Sequence, residues 1–385
     1  MNVVHLSPHY PPQFGLFTKR LAEHGVKVFG ISDRWDHELS PDLRQALTAH
    51  YKVDSLSNYN QVIAAVEHFM ETCGHIDRVE SHLESWLEIE AILRERFGIQ
   101  GKQPADLDFC RRKSQMKAVY KKAMVPTARG AIVESFEQCK AFIGGVYPAF
   151  IKPDIGVGAG DTYTIHNESD LHKFFEVRSK YEYFIEEFIQ GVIESFDGLT
   201  DSSGNIVFCT GHRFSDDIHN VVKKKTNLYY YSLRDLPPDL EAAGRAVVAA
   251  IDIREKFFHL EFFRLPSGDL RGLEVNLRPP GGLTTHMFNY ACDVDVYDWW
   301  ASIVAGEPSK RNYSRSFHCA FVSRKYDRAY TFDEDEVAAR CGKRLMLRQS
   351  MPAIEWPVMG DTGFLVRSPH LHEVMEMIAT IVGEV

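Results

Sequence analysis

The sequence predicts an α/β fold at its start and α+β layers beyond. Three observations carry this: an opening succession of strand, loop, helix and strand, a glycine-rich loop set between two strand patterns, and a long alternating hairpin past the middle of the chain. A chain of 385 residues exceeds one ordinary core and predicts two or three domains. Its 44% hydrophobic and 25% charged content matches soluble globular proteins.

The apolar stretch 3–6, the loop His9-Tyr10-Pro11-Pro12-Gln13-Phe14-Gly15, the helical pattern 16–24 and the run 26–31 open a domain built on a parallel sheet. Helical patterns at 59–73 and 85–97 continue it, and Gly98, Gly101 and Pro104 punctuate the chain, which places the first boundary near residue 110. A helix is expected over 111–124, with Met116, Val119, Tyr120 and Ala123 at helical spacing and Pro126 ending it. Strands at 149–153 and 161–165 bracket the glycine loop, a helix spans 169–179, and 183–189 is a further strand, so a small lid is expected over about 125–188. The stretches 193–214 and 256–277 predict a second sheet, with a helix at 240–251 between them. After Gly306-Glu307-Pro308, a strand at 317–322 and a helix at 370–381 predict a small C-terminal subdomain over 307–385, which leaves 111–306 as the central domain.

Lys and Arg number 44 against 53 Asp and Glu, a formal charge of -9 that opposes general attraction to nucleic acid. The seven cysteines are odd in number, scattered and free of C-x-x-C pairs, so neither a disulfide framework nor a zinc ribbon is expected. With no basic and apolar leader at the start and no run of eighteen apolar residues, a soluble cytoplasmic protein with no membrane partner is expected.

The hairpin carries the metal argument. Strand residues 256–265 and 270–278 flank the turn-type Pro266-Ser267-Gly268-Asp269. Pairing Leu265 with Leu270 puts Glu261 opposite Glu274 and His259 opposite Asn276. Phe258, Leu260, Phe262, Leu273, Val275 and Leu277 then share the buried face, and His259, Glu261, Glu274, Asn276 and Arg278 share the other. Like charges across a ladder repel, so this face wants a cation, and hard oxygen donors suit Mg²⁺, with Arg278 placed for a phosphate. A solvent-facing polar side is the plainer reading of the same pattern.

Gly156-Val157-Gly158-Ala159-Gly160 lies between strands and lacks a following Lys-Ser or Lys-Thr, which excludes a Walker A loop and a Rossmann fingerprint. A glycine hairpin laid over phosphates, or a simple turn, remains. Lys152 in an apolar strand needs a partner, which a phosphate would supply, and Lys113 lies one turn before Met116 on the same helix face. The strand Phe184-Ile185-Glu186-Glu187-Phe188-Ile189 suits a grip on a flat base. His212, Arg213, His219 and Lys223-Lys224-Lys225 either anchor a carboxylate or form a solvated face.

Taken in order over about residues 110–282, these segments resemble the ATP-grasp superfamily: the Arg112-Lys113 helix, Ile151-Lys152-Pro153 with its glycine loop, Glu186-Glu187-Phe188-Ile189, His259-Leu260-Glu261-Phe262, and Glu274-Val275-Asn276-Leu277-Arg278-Pro279. The resemblance implies an ATP-grasp fold with an N-terminal Rossmann-like domain, a lid and a C-terminal sheet domain. It implies ATP, and Mg²⁺ or Mn²⁺ in its place, as cofactors. Lys113 and Lys152 with Gly156, Gly158 and Gly160 would contact phosphates, and Glu186, Glu187, Phe188 and Ile189 would surround adenine. Glu261, Glu274 and Asn276 would hold the metal, while Arg278 and Lys152 would act on the transferring group. The family's ribose-binding Glu stands two residues after the Gly191 equivalent, where this chain has Ile193 and then Glu194, so Glu194 takes that role only where a bulge restores its face.

Gly281-Gly282-Leu283-Thr284-Thr285-His286 resembles the loop through which carboxylate-amine ligases of the superfamily, such as L-amino acid ligases, admit substrate. That implies a small carboxylate and an amine joined through an acyl phosphate, and it allows a homodimer. A bicarbonate-dependent carboxylase like biotin carboxylase or the purine-pathway members, and a nucleotide-binding protein without turnover, are the alternatives.

Overall fold

The computed structural model describes residues 1–156, 161–215, 221, 225–308 and 311–384. The apolar runs at the N-terminus form β1 (Asn2–Leu6), β2 (Lys27–Ser32), β3 (Ala49–Lys52) and β4 (Arg78–Glu80), paired in parallel in the order β3-β2-β1-β4. Parallel pairing needs crossovers, and the helices Gly15–Glu23, Pro41–Ala46 and Tyr59–Cys73 lie in them. Val4, Phe29, Ile31, Val62, Val66 and Phe69 form the core of this unit.

The second sheet is the small one: β5 (Gly130–Ile132), β6 (Ala149–Pro153), β7 (Tyr163–Ile165) and β8 (Tyr183–Glu187) lie antiparallel in the order β5-β8-β6-β7. Helices Phe136–Ile143 and Glu168–Val177 cover it and bury Cys139, Ile151, Leu171 and Phe174.

The third sheet has eight strands. They are β9 (Val192–Thr200), β10 (Ile206–Phe214), β11 (Tyr229–Ser232), β12 (Phe257–Arg264), β13 (Leu270–Asn276), β14 (His318–Arg324), β15 (Leu345–Ser350) and β16 (Thr362–Ser368), in the order β13-β12-β9-β10-β11-β14-β16-β15. The segment 307–385, expected as a subdomain, thus contributes its strands to the same sheet, with β14 bonded to β11. One face packs on helices Lys113–Lys122 and Pro238–Ile251 through Tyr120, Phe196, Phe258, Leu260 and Val247. The other packs on helices Thr284–Cys292 and Val296–Val304, where Phe17 of the N-terminal unit meets Trp300 and Phe257.

The helix expected over 111–124 is two helices, Asp108–Arg111 and Lys113–Lys122, broken at the extended residue Arg112. The cause is distant in sequence. Asp154, fully buried after β6, accepts from the Ser114 amide at 2.8 Å and from Arg112 Nη1 at 3.1 Å, while its carbonyl accepts from the Lys113 amide at 2.8 Å. These bonds satisfy amides that a new helix start leaves open.

All seven cysteines are free thiols. Among the described residues no helix is long and apolar enough to cross a membrane.

Candidate active site

The hairpin of β12 and β13 sets Glu261 opposite Glu274 and His259 opposite Asn276, the pairs expected from the sequence. The turn end differs: Arg264, not Leu265, pairs with Leu270, and a bulge between Glu261 and Phe262 takes up the extra residue. Leu273, expected on the buried face, is only partly buried there. Tyr120 explains the bulge. Its buried hydroxyl lies 2.8 Å from the carbonyl oxygens of both Glu261 and Glu274, and its ring occupies the space a side chain at Gly272 would need, 2.4 Å from that Cβ. Carbonyls released by the bulge thereby keep a donor.

Helix Lys113–Lys122 starts over this hairpin. Lys113 Nζ stands 3.2 Å from Glu274 Oε1 and donates to the Gly156 carbonyl at 2.8 Å. Burial acts to raise the Glu274 pKa, but Lys113, Lys152 and Arg278 outweigh it and hold the group below the usual carboxylate range. From the small sheet, Lys152 reaches diagonally to Glu186 Oε1 at 2.5 Å, and Lys117, one helical turn past Lys113, stands 2.9 Å from Glu186 Oε2. Burial raises Glu186 as well, and the two ammonium groups more than offset it, holding the acid at about 2. Burial pushes the Lys117 pKa down.

Arg278 is met by Glu84 of the N-terminal unit, with Nη2 3.2 Å from Glu84 Oε2. Beneath the pair Glu261 and Glu274 runs a buried chain of contacts. Asp197 Oδ1 lies 2.5 Å from His259 Nδ1, Asp197 Oδ2 accepts from Ser195 Oγ at 2.6 Å and lies 2.7 Å from His212 Nδ1, and His259 Nε2 stands 3.2 Å from Glu261 Oε1. Burial pushes His259 down, but Asp197 and Glu261 reverse this and raise it to about 10. The same histidines hold Asp197 at about 2 against its burial.

Asn276 is the decisive detail. It is 2% exposed, and neither its amide oxygen nor its nitrogen has a hydrogen-bond partner among the described residues. A buried amide with no partner costs free energy unless something absent from the protein completes it. With Glu261 and Glu274 beside it, the donor set fits a hard divalent cation. Hard oxygen donors of this kind suit Mg²⁺, an ion that keeps water and phosphate oxygens in its shell.

The remaining expected residues divide. Glu187 turns to Arg129, whose Nε lies 2.9 Å from Glu187 Oε2, while Phe188 is exposed and Ile189 partly buried past the end of β8. Gly158, Gly160, His219, Lys223 and Lys224 lie outside the described residues. Glu194 pairs in unbroken register with Arg213 and Phe262, so no bulge restores its face. It lies on the side of β9 away from Ser195 and Asp197, with Arg213 and Arg264 as ion partners. Sequence reasoning missed Lys117, which the i, i+4 spacing from Lys113 marks, and Glu84, Asp197 and Ser195, which carry no local signal.

Solved structures share this architecture over nearly the whole chain. An L-amino acid ligase from Bacillus licheniformis aligns with a TM-score of 0.72 at 14% identity, covering 98% of this chain and 95% of that one. The chain has the ATP-grasp fold. A biotin carboxylase domain dimer of 2-oxoglutarate carboxylase from Hydrogenobacter thermophilus, in complex with MgADP and bicarbonate, aligns with a TM-score of 0.71 at 17% identity, over 98% of this chain and 88% of that one. In sequence, an L-arginine-specific L-amino acid ligase of Bacillus subtilis is 23% identical over 236 residues, 58% of this chain and 57% of that protein. The chain thus spans little more than half the length of that relative. No protein-family model matches the chain.

Proposed function

We propose that this protein is an ATP-dependent, Mg²⁺-dependent ligase of the cytoplasm that activates a small carboxylate as an acyl phosphate and joins it to an amine. The observation that carries the reading is the convergence of Lys113 on Glu274, of Glu274 on Glu261 and of both on the unpartnered Asn276. Bound there, Mg²⁺ would neutralise phosphate charge and hold the phosphates in place. Lys113 and Lys152 bring positive charge to the phosphate side, Arg278 stands at the end of β13 for the transferring group, and Glu186 with the end of β8 borders the adenine end. The small sheet, within a lid of about 125–188 in a central domain of 111–306, closes over the nucleotide and keeps water from the acyl phosphate. Residues 1–110 and 307–385 flank it. The L-amino acid ligase names among the similar proteins support amide formation, and the dimer named for the carboxylase structure agrees with a homodimer.

A second reading takes bicarbonate as the acid, as in the carboxylase structure that contains it. One experiment separates them. Purified protein with ATP and Mg²⁺ is screened for phosphate release with amino acids, other carboxylates, amines and bicarbonate. Release that needs an amino acid or another organic acid with an amine supports the ligase, release on bicarbonate alone favours the carboxylase, and none across the panel overturns both.

A further inference from the structure

Past Arg278 the chain turns through Gly281 and Gly282 into helix Thr284–Cys292, and three remote segments meet at this turn. Gln13 Nε2 donates to the Gly282 carbonyl at 2.6 Å, and the Tyr230 hydroxyl lies 2.8 Å from Thr284 Oγ1. A Cβ at Gly282 would come 2.3 Å from Met359 Cε and 3.2 Å from the Tyr230 hydroxyl, so the short helix Trp356–Met359 closes the same wall.

Glu355 immediately precedes that helix. Its Oε1 accepts from the Tyr10 hydroxyl at 2.8 Å, whereas Oε2 is shielded from solvent and has no hydrogen-bond partner among the described residues. Burial raises its pKa, which the Tyr10 bond only partly offsets. Its charge is nevertheless felt at Tyr230, where burial pushes the phenol up and Glu355 adds to the push. The acid stands one helical turn before Met359, which meets Gly282, and its Oε2 has no hydrogen-bond partner among the described residues.

Such a carboxylate gains most from a cationic hydrogen-bond donor. A metal ion is a poor match, because hard cations collect several oxygen ligands and, among the described residues named in this wall, only Glu355 is a carboxylate. A primary ammonium is compact and carries three donors, and the Tyr10 and Tyr230 rings with Met359 suit its carbon stem. We infer that Glu355, held by Tyr10, binds the ammonium group of a reactant at the end of the site beyond Arg278, so that this reactant is an amino-bearing molecule. The inference rests on the ligase reading for what then happens to that molecule, but not for its binding.

The test is calorimetric binding to the whole protein in the presence of ADP and Mg²⁺. Wild type, Glu355→Gln and Tyr10→Phe are titrated with the twenty amino acids and with matched acids lacking the amino group. Wild type should bind at least one amino acid about tenfold or more tighter than its desamino counterpart, the value of one charge-assisted hydrogen bond. Glu355→Gln should remove that preference while the desamino acid binds as before, and Tyr10→Phe should reduce it. Should Glu355→Gln fail to fold, Tyr10→Phe carries the test. No preference in wild type, or a preference kept in Glu355→Gln, overturns the inference. A preference lost as expected in a protein that releases no phosphate would overturn the ligase reading alone.

Discussion

At the scale of single residues, the site sets charged groups against burial and lets neighbours decide the outcome. Glu274 is the clearest case, because it faces Glu261 across the ladder and Lys113 across the cleft. Removing it leaves packing nearly untouched but takes away a proposed cation ligand. Glu274→Ala should therefore lower turnover at least about 100-fold, since loss of partners behind a metal ligand already costs 10- to 100-fold, while the melting temperature stays within a few degrees. Near-normal turnover in the folded variant would remove the metal assignment. Asp197 is the opposite case, buried and structural. Asp197→Asn leaves an imidazolium at His259 buried without its counter-charge, at a cost of about 3–5 kcal/mol. The pH dependence follows from the signs. His259 is raised to about 10, so its share of stability is full below about 6.5 and is lost as pH climbs from there to 10. Asp197 is held at about 2, so its share is present above about 4 and is lost toward pH 2. In urea melts of metal-free protein, the gap between wild type and Asp197→Asn should be widest near pH 5–6 and narrow toward pH 10. A gap that does not change with pH would mean that the pair is not ionised in the fold.

At the scale of elements, hairpin register was legible because alternation within two neighbouring strands fixes which side chains share a face. The pairs Glu261 with Glu274 and His259 with Asn276 came out as expected only because the bulge beside Glu261 compensates for the shorter pairing of Arg264 with Leu270 at the turn. What was not legible depends on distant residues. The bulge beside Glu261 exists around Tyr120, and the break at Arg112 exists because Asp154, forty-odd positions on, binds the new helix start. Likewise Glu84 enters the site from another sheet, and no local pattern marks it. Helix Val296–Val304 buries every residue but Asp298, and helix Thr284–Cys292 buries Thr284 and Thr285 beside Met287 and Phe288, so burial there follows tertiary packing rather than residue polarity. The small sheet meets its surroundings through polar contacts that include Glu186 with Lys117, and Asp154 and Glu182 with Arg112. Such an element should be stabilised by a ligand that bridges those charges. Hydrogen exchange across 130–187 is expected to slow when ATP and Mg²⁺ are added, with the N-terminal sheet unchanged as an internal control. Identical exchange in both states would rule out a nucleotide-ordered lid.

At the scale of the whole molecule, the three sheets meet around one cleft and each supplies what the others lack. The N-terminal unit is locked to the large sheet by buried ion pairs, with Lys256 Nζ 2.7 Å from both Glu80 and Glu90 and Arg78 2.8 Å from Glu255. It thereby holds Glu84 against Arg278 and Tyr10 against Glu355. The large sheet contributes the carboxylates, and the small sheet contributes Lys152. Lys152 comes from the small sheet, while Lys113 and Arg278 stand on the side of the large one with the carboxylates that we propose as cation ligands, an arrangement that suits transfer of a terminal phosphoryl group. A carboxylate oxygen is a poor leaving group and phosphate a good one, so phosphorylation of the acid makes its carbonyl open to an amine. The prediction is chemical and specific. With the right acid present and the amine withheld, hydroxylamine should trap the acyl phosphate as a hydroxamate, ATP should be converted to ADP and phosphate, and Glu274→Ala should suppress both products together. Appearance of AMP and pyrophosphate would place the bond broken in ATP between the α- and β-phosphates, which is adenylation, and the acyl-phosphate mechanism would fall.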